Sequence, residues 1–157
     1  MSTESPESVE DEIPEPASQP EQSGARLAKL ARNHGLVFLA AILSFGAADT
    51  WSTLSGLLIA ELLCIITAVL AGVTITTLAH EWFHYLGARF SKANISIPTR
   101  EGLFVYRWDF GSNSAGQFLI MSIAGSIGGF LAVILLWTTV PADTLGRAVL
   151  GSAAVGS

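Results

Sequence analysis

Residues 54 to 90, LSGLLIAELLCIITAVLAGVTITTLAHEWFHYLGARF, constrain this chain more than any other stretch. Up to Leu78 they hold one charged side chain, Glu61. A helix over all 37 residues would be about 55 Å long, against a hydrocarbon core of about 30 Å. Such a helix must tilt, emerge from the bilayer or break, and Gly72 is its soft point.

Two further apolar runs match it. Leu36 to Ala48 is short for a span, but a start near Leu27 or Leu30 lengthens it. Gly116 to Val140 is a full span, and Ala124, Gly125, Ser126, Gly128 and Gly129 would let another helix approach closely. Spans are therefore expected at about 30–48, 57–88 and 116–140. A partial helix follows over 145–157, too short to cross, so the chain is expected to be a fragment or to end in a partial, re-entrant or interfacial helix.

Charge is sparse, at 13% of residues, where a soluble domain carries about a quarter. It is also segregated. Residues 1 to 24 hold seven acids and no Lys or Arg, so the net charge of −5 is an acidic tail on a slightly basic body. Rich in Pro, Ser and Glu, residues 1–25 have too little to bury and are expected to be a disordered acidic tail. The basic residues are too few for a nucleic-acid surface. Cys64 is alone and cannot form an intrachain disulfide.

Arg26, Lys29 and Arg32 precede the first run, while Arg89, Lys92, Arg100 and Arg107 follow the second. The positive-inside rule then places the N-terminus and the 80–92 end in the cytoplasm. His34 flanks the first cluster and reads as interfacial. Between the second and third spans, ISI and LFVYRW are β-rich around the turn PTREG, so 94–110 is expected to be a membrane-associated β-hairpin. The fold class is thus an all-α polytopic membrane protein with a small β-hairpin between the second and third transmembrane helices.

The chemistry concentrates at His80, Glu81 and His84, an H-E-x-x-H sequence. Residues four apart share a helix face, so His80 and His84 can grip one zinc ion. Glu81 lies about 100° around the helix, within reach of a water on that metal. This spacing is what metal-assisted hydrolysis uses, with Glu81 as general base. The competing reading makes these residues a polar helix end at the interface. It accounts for their polarity but not their spacing. Two histidines on one helix face cannot ligate opposite sides of one haem.

HEWFHYLGARF resembles the site-2 protease family of intramembrane zinc metalloproteases, whose members often read H-E-x-G-H-x-x-x-A-R. His80, Glu81, His84, Ala88 and Arg89 match. AGSIGGFLA, Ala124 to Ala132, is similar to the family's A-G-P-x-x-N-x-x-x-A helix. The resemblance covers roughly residues 70 to 135. It implies zinc as cofactor, the bilayer as surroundings, and a membrane protein as substrate, cleaved in or near its transmembrane segment. The chain departs from the pattern in four places. Phe83 stands in place of a Gly, which implies looser helix packing there. Ser126 replaces a Pro and Gly129 an Asn. The family's third ligand, the Asp of an L-D-G motif, has no counterpart.

Three acids follow His84 as replacements: Glu101, Asp109 and Asp143. Asp143 follows a span that leads away from His80. Asp109 is on the correct side and is the candidate within the chain, though pairing with Arg107 would also explain it. A ligand beyond Ser157, on a continued fourth helix, is the stronger expectation. Glu61 lies about 28 Å from His80 along the helix, too far to take part. Thr77, one turn before His80, is a candidate outer-sphere partner. The alternative function is a catalytically inactive membrane protein of the same fold, acting as a binding or regulatory subunit. A membrane protein with no metal at all is the third.

Overall fold

The computed structural model describes residues 20–99 and 102–157, with side chains from residue 23 onward. Its elements are α1 (Pro20–Ser55), α2 (Leu58–Phe90), β1 (Ile95–Ser96), β2 (Arg107–Trp108), α3 (Ala115–Thr139) and α4 (Leu145–Gly156). Three of the helices are long and apolar enough to cross a membrane. Of the expected tail, residues 1–19 lie outside the described residues. Residues 20–25 are the first turns of α1.

The long apolar run does not break at Gly72. It breaks between α1 and α2, at Gly56, whose φ of 62° ends one helix before Leu57 opens the next. From there α2 runs 33 residues without interruption. At about 1.5 Å per residue it is some 50 Å long, so its last turns outrun a hydrocarbon core.

α2 is the hub on which α1, α3 and α4 all pack. Its buried face is built from small side chains, among them Ala60, Ala68, Ala71 and Gly72. Small residues bring neighbouring backbones close, which suits helices that pack by van der Waals contact. Phe45, Ile75 and Leu150 fill the core around them. α4 lies parallel to α2. Gly146 packs on Cys64, Gly72 meets Leu150, Ala153 and Ala154, and the Ser157 and Thr76 hydroxyls share a hydrogen bond.

The end of α2 is a Schellman cap. Ala93 N–H reaches back to Ala88 O at 2.9 Å, and Lys92 N–H bonds Arg89 O at 3.2 Å. Lys92 takes the left-handed position at φ 55°, where glycine is usual. α3 opens with a capping box between Ser114 and Gln117. The Gln117 amide also donates to the carbonyls of Ser91 and Lys92, tying the start of α3 to the end of α2.

The hairpin is smaller than expected. Ile95 pairs with Trp108 and Ser96 with Arg107, antiparallel. Of the expected turn PTREG, Arg100 and Glu101 lie outside the described residues. After Gly102 the chain returns to α2, where Tyr106 meets Tyr85. Val105 is completely buried there, which contributes about 1.5–3 kcal/mol.

Candidate metal centre

His80 and His84 project from α2 toward the small-residue stripe of α3. A Cβ on Gly125 would collide with the His84 ring, and one on Gly129 would lie 3.5 Å from His80 Nδ1. A Cβ at 129 would make only ordinary contact with His80, but glycine at 125 is what leaves room for the His84 ring. Gly128 does the same for Phe83, whose Cβ and Cγ fill the place its side chain would take. The looser packing expected at Phe83 is therefore absent. Phe83 of α2 seats against Gly128 of α3.

The hydrogen bonds fix the tautomers. His84 Nδ1 lies 2.8 Å from Met121 O, and a carbonyl only accepts, so Nδ1 carries the proton. His84 Nε2 is then a bare lone pair. It faces His80 Nε2 at 2.9 Å, with the rings edge-to-face at 4.3 Å. His80 Nε2 is the donor in that pair. Moving its proton to Nδ1 leaves a lone pair on each Nε2. Zinc–nitrogen bonds of about 2.0–2.1 Å at a tetrahedral angle place two ligating nitrogens about 3.3 Å apart. The observed separation of 2.9 Å is a few tenths of an ångström less than that spacing.

Glu81, the next residue after His80, is half-buried. Its face of α2 is covered by the segment that follows Gly102. Tyr106 stacks near Tyr85, one turn after Glu81, with ring centroids 6.4 Å apart. Burial first, and the Glu81 charge second, push the Tyr106 phenol up to about 12. Tyr106 is a functional candidate that sequence reasoning missed, because an aromatic in a β-rich run carries no signal of what it will face.

Asp109 does not join the histidines. It is exposed, and its carboxylate accepts from Gly111 N–H at 2.9 Å and from the Ser112 hydroxyl. Those bonds hold its carboxyl below the usual aspartate value, with Ser112 the larger cause. Asp109 shapes the turn into α3 instead. Asp143 stands at the opposite end of the molecule, 2.8 Å from Arg147. Glu101 lies outside the described residues. Among the described residues no group of three or more His, Cys, Asp or Glu side chains is placed to hold a metal.

A cavity of about 390 Å³ opens beside His80, bounded by Thr76, Thr77, Gly129, Phe130, Val133 and the end of α4 at Ser157. Thr77 is thus on the wall of the site. His34 is not a free interfacial side chain. It is buried, accepting from Trp82 Nε1–H and bonding Gly102 O. Comparison with protein-family models, with curated proteins and with solved structures finds no match to this chain.

Proposed function

We propose that the chain is an intramembrane zinc metallopeptidase of the site-2 protease type, cleaving membrane proteins in or near their transmembrane segments. The observation that carries this reading is the two Nε2 atoms held 2.9 Å apart on one face of α2, with Glu81 the next residue after His80. Bound zinc would supply a water of pKa near 7 and polarise the scissile carbonyl. His84, oriented by Met121 O, and His80 would hold it. Glu81 would take the proton of the attacking water and pass it to the leaving amine. The cavity beside His80 has room for a carbonyl and for a third ligand. Exposed Leu, Ile, Val and Phe along α1, α2 and α3 support immersion in lipid. The basic flanks support a cytoplasmic N-terminus and a cytoplasmic metal centre.

The absence of a third ligand among the described residues favours a second reading, a binding or regulatory subunit of the same fold. One experiment separates the two. Zinc is measured per chain after purification in mild detergent, with proteolysis of a panel of single-span peptides in liposomes. About one zinc, lost in His80→Ala and His84→Ala, is expected. Glu81→Gln should keep that zinc and lose at least about 100-fold in cleavage rate. Zinc without cleavage by the unaltered chain favours the subunit. No zinc, even after incubation with excess metal, sinks both the enzyme and the metal site.

A further inference from the structure

The metal-binding reading uses one face of α2. The adjoining face, with Glu81 and Tyr85, is roofed by residues 102–106, and this roof is fastened at both ends. On one side, Arg107 and Trp108 pair with β1. On the other, Gly102 is held by His34, a residue of α1 that lies 68 positions away. Between them Val105 is wholly buried, and Tyr106 sits against Tyr85.

His34 makes this connection with both ring nitrogens. The Trp82 indole N–H can only donate, so His34 Nδ1 accepts it, at 3.2 Å. The proton therefore sits on Nε2, which donates to Gly102 O at 3.0 Å. The rings of His34 and Trp82 meet edge-on at 6.1 Å. Trp82 is the residue after Glu81. One buried imidazole thus joins α1, the general-base turn of α2 and the roof, and its tautomer is set by its partners.

We propose that His34 is a positioning residue for Glu81: it clamps residues 102–106 so that Tyr106 stays over the face of α2 that carries the general base. The inference rests on the reading of Glu81 as that base. The phenol held there stays protonated at neutral pH, so the roof carries a hydroxyl donor near Glu81 and limits access of bulk water to it. No proton passes through His34. It acts only by holding the segment.

The test compares His34→Ala with His34→Gln, whose amide can both accept from Trp82 and donate to Gly102. Amide hydrogen exchange over residues 102–106, followed by mass spectrometry at neutral pH, reads the clamp directly. We expect exchange at least about 10-fold faster in His34→Ala and near-native exchange in His34→Gln. In a Tyr85→Phe background Tyr106 is the only tyrosine, because the chain has two. Its ionisation, followed by absorbance, should fall back toward 10.0 both in His34→Ala and in Glu81→Gln. With a cleavable substrate, His34→Ala should lower kcat about 10-fold while KM and zinc content hold, and His34→Gln should restore it. If His34→Ala does not fold, Trp82→Phe, which removes the indole N–H that sets the His34 tautomer together with part of the ring, is read in the same way. Unchanged exchange and an unmoved phenol in these variants overturn the clamp. A chain with zinc but no cleavage counts against the general base, while exchange and absorbance still decide the clamp.

Discussion

At the scale of single residues, the histidine pair depends on atoms its own helix does not provide. The i, i+4 spacing brings two imidazoles to one face, but their directions are set by α3. Met121 contributes a backbone carbonyl, which no side-chain pattern could reveal, and Gly125 contributes an absence of atoms. Gly125→Ala should therefore push the His84 ring off Met121 O. Zinc affinity measured against a chelator is expected to fall 10–100-fold, the usual cost of losing a partner that orients a ligand. Gly46 is the control, since nothing lies within 4 Å of where its Cβ would be. Gly46→Ala with unchanged zinc affinity, beside an equally unchanged Gly125→Ala, would show that α3 does not orient the ligand. Asp109 makes the complementary point. Its charge and its side of the membrane fitted a ligand, but the Gly111 N–H and the Ser112 hydroxyl were nearer and claimed the carboxylate.

At the scale of elements, local chemistry explains the boundaries well. Ser114 and Gln117 stand three apart, a capping-box signal legible in the sequence, and they start α3. The end of α2 was less legible, since Lys92 occupies a left-handed position that glycine would announce. Such a residue costs roughly 1 kcal/mol relative to glycine. Lys92→Gly should accordingly raise stability by about 0.5–1 kcal/mol, read as a higher melting temperature in detergent. A lower one would mean that the lysine side chain outweighs its backbone strain. The hairpin was foreseen as an element but not in its extent. β-propensity reports what suits a pleated, half-buried surface, and Val105 was buried outside either strand instead.

At the scale of the molecule, the two ends of the helical bundle differ in chemistry. One carries His80, Glu81 and His84. The other carries Asp49 of α1, buried, with Arg147 Nε and Nη2 each 2.9 Å from its Oδ2 and the Thr144 hydroxyl at 3.3 Å from Oδ1. This cluster fixes the start of α4 against α1, and so aims α4 along α2 toward the histidine pair. Removing one partner of a buried ion pair costs about 3–5 kcal/mol. Arg147→Met should come at the low end, because the Arg147 side chain is still 28% exposed. The double change Asp49→Asn with Arg147→Met should cost less than the two singles summed, since no charge is left unpaired. Strict additivity in unfolding measurements would mean that the pair does not hold α4.

The sequence by itself determined three long apolar helices, a short fourth, a hairpin between the second and third, and the spacing of H-E-x-x-H. Each of these follows from local pattern, because apolar length and side-chain period act within one element. Only the tertiary structure decided which face of α2 met α3, how Gly128 made room for Phe83, and that His34, Trp82 and Gly102 would meet. Those contacts join residues far apart in the chain. They depend on how helices with nearly uniform apolar surfaces rotate against one another, and small side chains and single hydrogen bonds settle that rotation only once the helices are packed.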